Sequence, residues 1–477
     1  MNMYGAEAAG QRRRTVQTLI LLAAFAAVFF AGRYSMVIQH PVLKVPAFQN
    51  LSYAFNEIMN DYLEGADAKA LLDGATEGMV DSLDDPYSVF MTGEQGEAYM
   101  KSYEDHFVGI GVEFRQEDGS FIVEKVIEGA PAQKAGVKDK DVILAVDGTS
   151  VKGMETQKLL SLVRGKDGTT VKLSLQRAGT AKPVELSVKR GSVPVKTVEF
   201  EMKEGGIGQI TIERFADKTG EEFDAAIKAL TGKGMKGLLL DLRSNPGGLL
   251  DPTIHIANRF VPKGETIVQV VSKNEKEVVT HRSDGKNPLR LPISILVDSH
   301  TASSAEVLTA ALKEKAGATV VGEKTYGKGI VQEFRQLKDG SVLKLTKAQW
   351  RSPEGQWIHK EGIEPTDTVM PPAYASLSEL PVGIALKEGD YGDKVKTAEQ
   401  MLNVLGYFPG EPGGIYDEAM VQAVRTFQRS RMLPETGTLN DKTVYAMMTL
   451  LSERYNREDP QRLKAEERLA AAIAAGK

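Results

Sequence analysis

The run Gly237 to Leu242 constrains the fold more than any other stretch of the chain. It reads Gly-Leu-Leu-Leu-Asp-Leu and is nearly continuous in apolar side chains. A strand with one face in water alternates apolar and polar residues. A strand without that alternation needs apolar cover on both faces, as in a parallel sheet between helical layers. Ile293 to Val297 has the same character, and Ala318 to Val321 is a third such run. The first run ends in the turn Arg243-Ser244-Asn245-Pro246-Gly247-Gly248 and leads into a helical stretch. The second enters Asp298-Ser299-His300-Thr301-Ala302-Ser303, then a helix with Val307, Leu308, Ala311 and Leu312 on one face. The third leads through a glycine-broken loop, Gly322 to Gly329, into Ile330 to Phe334. Alternating strands and helices predict an α/β domain over residues 195–372.

A chain of 477 residues exceeds one usual core, so further domains are expected. The net charge is −5, and basic residues do not cluster beyond the extreme N-terminus. Phosphate binding needs such clusters, so a nucleic-acid partner is disfavoured. The chain has no cysteine. That excludes disulfides, thiolate nucleophiles and cysteine-bound metals, and leaves the redox compartment open. Six histidines are scattered without an HExxH-type pair, so no metal is expected.

Arg12, Arg13 and Arg14 precede an apolar stretch from Val16 to Gly32, with Arg33 beyond it. This asymmetry predicts the N-terminus inside and the bulk of the chain exported. The length suits either a membrane anchor or a cleaved signal within residues 1–36. Residues 45–104 read as helical. Leu51, Phe55, Ile58, Met59 and Leu63 form one stripe, and Leu71, Leu72, Ala75 and Met79 another, both read as core or interface packing. Residues 105–191 hold short strands at Phe121 to Val126, Asp141 to Val146 and Val171 to Gln176, with a helix from Met154 to Val163. Residues 383–452 show amphipathic helical spacing. Residues 453–477 are charged, then Ala-rich, and fit either an extended helix or a disordered tail.

Two residues carry candidate chemistry. Ser303 stands at a strand-to-helix junction, where free N–H groups and the helix dipole stabilise a developing oxyanion. Ser303-Ser304-Ala305-Glu306 also fits a capping box, S-x-x-E. A serine nucleophile needs a base. Lys328, in Tyr326-Gly327-Lys328-Gly329, is one candidate, and a surface lysine in a glycine turn is the competing reading. An ordinary lysine titrates near about 10.4 and is protonated at neutral pH. Serving as a base requires lowering toward about 7–8, on the order of 4 kcal/mol. Tyr326, Ile330 and Val331 are the expected apolar cover. His300 is an alternative base.

The segments Ser299 to Glu306 and Thr325 to Gln332 closely resemble the two active-site motifs of C-terminal processing (tail-specific) serine proteases. The resemblance implies Ser303 as nucleophile, Lys328 as base and Gln332 as its partner. Ser303 and Lys328 stand 25 positions apart, and Lys328 and Gln332 four, as in that family. Thr301 and Ser304 depart from the usual pattern, and Ser304 leaves two adjacent hydroxyls. The segment Asp241 to Gly248 resembles the family's oxyanion loop, which implies Gly247 or Gly248 plus the N–H of Ser304. Lys360 to Pro365 resembles its closing motif. Residues 105–191 resemble a PDZ domain, whose Gly-Ile-Gly loop binds a peptide carboxylate through backbone N–H groups while the peptide adds to the sheet edge. That loop is Gly109, Ile110 and Gly111 here. Arg164 corresponds to an arginine that senses the peptide, or is a solvated charge. Residues 383–452 resemble a small three-helix peptidoglycan-binding domain.

The expectation is therefore a multidomain α/β protein: an α/β protease core with an inserted β-rich α+β PDZ domain, N-terminal helices and a small C-terminal three-helix domain. It would cleave protein or peptide substrates with free C-termini, without metal or cofactor, either anchored by a single pass in the bacterial cell membrane with its catalytic domain outside the cytoplasm or secreted after cleavage of the N-terminal segment. Peptidoglycan is an expected further partner, and a homodimer is one allowed assembly. The competing reading is a non-catalytic scaffold that binds tails and wall. One geometric demand follows. Lys328 and Gln332 in a straight strand would lie about 13 Å apart at ~3.3 Å per residue, so the chain must bend, as Gly327 and Gly329 permit.

Overall fold

The computed structural model describes residues 45–101, 106–285, 288–380, 382–383 and 385–476, together with Ala24, Phe25 and Val28. These belong to two units, Met1–Thr92 and Gly93–Lys477. The first holds helices α1 (Pro46–Asp61) and α2 (Ala68–Asp81) and strand β1 (Val89–Met91). Pro46 opens α1, where a missing N–H costs nothing. Asp67 caps α2 by accepting from the Ala70 N–H at 2.8 Å. Of the two helices only Val80 is buried. Leu51, Ile58, Met59, Leu63, Leu72 and Met79 are exposed. The core half of the packing expectation is thereby corrected: two helices and one short strand do not enclose these stripes. The predicted apolar span lies outside the described residues apart from Ala24, Phe25 and Val28. Among the described residues no helix is long and apolar enough to cross a membrane.

The second unit opens with α3 (Gly93–Lys101) and β2 (His106–Gly109). A small antiparallel sheet follows: β3 (Val112–Glu117), β4 (Ser120–Val126), then α4 (Pro131–Ala135), β5 (Val142–Val146), β6 (Thr149–Ser150), α5 (Thr156–Val163), β7 (Thr170–Gln176) and β8 (Val184–Lys189). Its order is β3-β4-β5-β7-β8, so β3 is an edge strand. Phe121, Leu159, Val163, Leu173 and Val188 fill its core. β9 (Gly191–Pro194) returns antiparallel to β2, pairing Gly109 with Gly191, which closes the domain at its neck.

The main sheet uses β10 (Val198–Met202), β11 (Ile207–Ile212), helix α6 (Thr219–Gly232), β12 (Gly237–Asp241) and helix α7 (Leu250–Ala257). After β13 (Thr266–Ser272) and β14 (Val278–Arg282) come β15 (Ile293–Val297), α8 (Ser304–Lys315) and β16 (Thr319–Gly322). β17 (Ile330–Gln336), β18 (Val342–Arg351) and β19 (Asp367–Thr368) complete the strands. The order is β10-β11-β12-β15-β16-β19, parallel except for β10. β17, β18, β13 and β14 pair antiparallel in a separate sheet.

The apolar runs behave as strands covered twice. Leu238, Leu240, Ile295 and Val320 face a core shared with Phe223, Leu230, Ile256, Leu308 and Leu312 of α6, α7 and α8. Their neighbours Leu239, Leu296 and Val321 face the opposite side, against Ala465 and Leu469. That second cover comes from the chain's far end. α9 (Asp393–Val404), α10 (Glu418–Ser430) and α11 (Asp441–Glu458) pack around Leu402, Tyr416, Val424, Phe427 and Met447. Asp417 and Asn440 cap α10 and α11. After Asp459, α12 (Pro460–Ala474) crosses the open face of the main sheet. The charged, Ala-rich segment is thus a layer of the α/β domain.

Candidate active site

The crossover loops after β12 and β15 meet at the carboxyl ends of adjacent parallel strands, where such sheets form their clefts. One carboxylate ties them together. Asp298 accepts from the Ser244 N–H at 2.9 and 3.0 Å and from the N–H groups of His300 and Thr301 at 3.0 and 2.9 Å. The loop then turns sharply into α8. Ser303 has φ 56° and ψ −121°, a conformation costly for a side-chain-bearing residue and characteristic of functional turns. It is buried to 9% exposure.

Glu306, three residues on and fully buried, does more than cap the helix. Its Oε2 accepts from the Ser303 N–H at 2.8 Å and from the Lys328 N–H at 2.8 Å. Its Oε1 accepts from Thr325 Oγ1 at 2.5 Å and the Gly327 N–H at 2.7 Å. One side chain therefore holds the backbones of both predicted catalytic residues. The Tyr326 N–H adds a bond to the Thr301 carbonyl at 3.0 Å. The Glu306 N–H donates to the Ser303 carbonyl at 2.9 Å, and Ser303 and Glu306 form the capping box that the S-x-x-E pattern predicts. Burial pushes the Glu306 carboxyl above its usual range, and the hydrogen bonds from Thr325, Gly327, Ser303 and Lys328 oppose that rise.

Burial likewise pulls the Lys328 ammonium below its ordinary value. The positive charge of Lys344, on β18, lowers it further, and Glu306 works the other way. Ile330 is buried, as expected of the lysine's cover, whereas Tyr326 is 56% exposed. Lys328 precedes β17 and does not lie in it. Gly327 has φ 84°, and a Cβ on Gly329 would meet the His359 nitrogen at 2.1 Å. The turn thus needs glycine twice, and a straight-strand separation of Lys328 and Gln332 does not apply. The β17–β18 register also shifts between Val331 and Gln332.

The two glycines predicted as oxyanion donors differ. The Gly247 N–H is taken by Asn245 Oδ1 at 2.8 Å. The Gly248 N–H has no acceptor among the described residues, nor has that of Ser304. The Gly248 carbonyl accepts from Ser304 Oγ at 2.8 Å. Of the two adjacent hydroxyls, that of Ser304 is therefore already engaged. Gly247 lies against the serine turn: a Cβ there would meet Ser303 Cβ at 2.7 Å.

With this geometry in view, four family models match: peptidase family S41 over residues 206–369, a PDZ domain over 108–188, a putative peptidoglycan binding domain over 391–447, and the activating protease CtpB N-terminal domain over 37–95. The carboxy-terminal processing protease CtpA of Bacillus subtilis (strain 168) is 42% identical over 423 residues, covering 88% of this chain and 90% of that protein. The chain belongs to the carboxy-terminal processing protease family. A probable CtpA-like serine protease of Staphylococcus haemolyticus (strain JCSC1435) is 38% identical over 412 residues, 86% of this chain and 82% of that one. Among solved structures, the photosystem II D1 C-terminal processing protease matches at 27% identity with TM-score 0.42, over 71% of this chain and 89% of that chain.

In this C-terminal processing protease, the Gly-Ile-Gly segment links β2 to the edge strand β3. Ile110 is buried in the PDZ core, and a Cβ on Gly111, at φ 75°, would meet Ala130 Cβ at 2.2 Å. The Ile110 and Gly111 N–H groups have no backbone acceptor among the described residues. Arg164 is exposed just past α5. The buried arginine of that region is Arg190, which donates to the Val163 and Leu162 carbonyls at 2.9 Å each and closes the helix end. His300 is 78% exposed, and its Nδ1 stands 4.0 Å from Asp298 Oδ2, beyond hydrogen-bond reach of an orienting carboxylate. Glu306, Asp298 and Lys344 were not singled out by sequence as site residues. For Glu306 a signal existed, the S-x-x-E pattern; for Lys344, 16 positions beyond Lys328 in another strand, none did.

Proposed function

We propose that this member of the family is an exported serine endopeptidase that uses a Ser303–Lys328 dyad. The observation that carries the reading is the Glu306 carboxylate, whose Oε2 accepts from the N–H groups of both residues at 2.8 Å. A residue that lashes two loops together at two particular backbone positions is best understood if their side chains work together. Neutral Lys328 accepts the proton of Ser303 Oγ as that oxygen attacks the scissile carbonyl carbon. The oxyanion receives hydrogen bonds from the Gly248 and Ser304 N–H groups. Lysinium then protonates the departing amine, and water, deprotonated by the same lysine, hydrolyses the acyl-enzyme. Gln332 orients the amine.

The PDZ domain takes a substrate's terminal carboxylate on Gly109, Ile110 and Gly111 and its body along β3, with Arg164 as the peptide-sensing candidate. The N-terminal segment places the enzyme at the outer face of a bacterial membrane, and the C-terminal three-helix domain adds a contact to peptidoglycan. Incubation with an unfolded protein substrate tests the reading. Ser303→Ala and Lys328→Ala are each expected to lower kcat by at least about a thousandfold, and His300→Ala to leave it within about twofold. Full activity of either dyad variant defeats the mechanism. An unmutated protein that cleaves nothing favours the non-catalytic scaffold.

A further inference from the structure

Arg243 begins the loop that carries Gly247 and Gly248, and its guanidinium is held from two directions. Nε and Nη2 donate to Asp241 at 3.0 and 2.6 Å, within the same strand end. Nη1 donates to Asp459 Oδ2 at 2.7 Å, Gln461 Oε1 at 3.1 Å and Tyr455 Oη at 3.2 Å. All three acceptors belong to the joint between α11 and α12, more than 200 positions downstream. Asp459 is buried to 2% exposure and divides its two oxygens. Oδ1 caps α12 by accepting from the Gln461 and Arg462 N–H groups at 3.0 and 3.1 Å, while Oδ2 takes the arginine. Capping needs only a neutral oxygen. The ion pair is therefore separable from the fold of the helix that contains it.

The loop is fastened at other points as well, among them Ser304 Oγ on the Gly248 carbonyl at 2.8 Å and the Phe215 N–H on the Gly247 carbonyl at 3.0 Å. Ser244, at φ 57°, gives its N–H to Asp298. Asn245 donates Nδ2 to the Ile212 carbonyl at 2.7 Å and accepts from the Ala302 N–H at 2.9 Å. None of these involves the C-terminal helices. We propose that Asp459, assisted by Tyr455, is a positioning residue for catalysis: it fixes Arg243 and thereby the entry angle of the loop that presents the Gly248 N–H. This rests on the dyad and oxyanion reading above. The C-terminal joint is then a working part of the active centre, although it touches no substrate. Loosening one fastening among several leaves the substrate cleft in place and blurs the oxyanion donor, so the loss falls on kcat and spares KM.

The test uses the full chain, with kcat and KM on an unfolded protein substrate and the rate of Ser303 labelling by a fluorophosphonate. Asp459→Asn keeps the cap and the shape but removes the charge. It is expected to lower kcat and the labelling rate about ten- to a hundredfold, with KM within about twofold. Tyr455→Phe should move both in the same direction by less. Leu469→Ala loosens α12 on the sheet without touching Arg243; it should lower the melting temperature and leave kcat unchanged. Unchanged kcat in Asp459→Asn overturns the inference, as does an equal kcat loss in Leu469→Ala. If Asp459→Asn does not fold, unchanged kcat in Tyr455→Phe overturns it. A Ser303→Ala variant that still cleaves and labels brings down the dyad itself, a different failure from either.

Discussion

The carboxylate of Glu306 has no room to move, since it is fully buried and accepts from four donors. Glu306→Gln replaces one oxygen by a donor that faces other donors. It should destabilise the protein by about 1–3 kcal/mol in denaturant titration and reduce kcat by more than the small unfolded fraction explains. Lys344 acts at the same scale through charge alone. Its positive charge favours the neutral form of Lys328, and a lysine base works only when neutral. The rise of kcat/KM with pH should therefore sit below the ordinary lysine range, and Lys344→Gln should move it to higher pH. A pH profile that does not shift removes Lys344 from the account. Ser303 and Lys328 stood out in sequence through the resemblance of Ser299 to Glu306 and Thr325 to Gln332 to two family motifs, since the local pattern fits a helix cap and a surface lysine equally. Lys344 did not, because it stands 16 positions from Lys328 on another strand and nothing in the linear pattern joins the two.

At the scale of elements, the main sheet was readable because a strand covered on both faces leaves an unbroken apolar run. Its second cover was harder to see. Ala465, Leu469 and Ile473 recur every four residues, a helical stripe in an otherwise charged and Ala-rich segment. The spacing was present, but alanine is too common in solvent-exposed helices to mark a buried face. Leu469→Ala should cost about 2–5 kcal/mol, measured as a lower denaturation midpoint. The turn after β12 gives a second expectation. A Cβ on Gly248, at φ 146°, would meet the Phe215 carbonyl oxygen at 2.1 Å. Gly248→Ala should thus shift the loop and abolish most activity at a retained circular-dichroism spectrum.

For the whole molecule, the C-terminal helices touch the PDZ domain as well as the core. Asp441 Oδ2 accepts from the Asp118 N–H at 2.9 Å, Lys442 lies 3.3 Å from Asp118, and the Arg115 guanidinium lies 5.9 Å from the centre of the Tyr445 ring. Arg115 belongs to the edge strand β3 and Asp118 follows it, so this contact stands at the far end of the edge a peptide would extend. A tail of about four residues fits between the Gly-Ile-Gly loop and this contact, at ~3.3 Å per residue. A ten-residue tail peptide should therefore bind Tyr445→Ala more tightly than the unmutated protein in a fluorescence titration, and a four-residue one equally well. Domain order was legible from motif order alone. These cross-contacts were not, since nothing in a linear pattern tells one exposed acid from another.

Helix α11 carries one of these contacts on its first turn, and the residues that grip Arg243 lie at its last. Eighteen residues at ~1.5 Å each make a rod about 27 Å long. If such a rod tips by about ten degrees, geometry moves its far end by about 5 Å, farther than any of the hydrogen bonds there can stretch. A tilt begun at the PDZ contact would thus be felt beside the loop that carries Gly247 and Gly248.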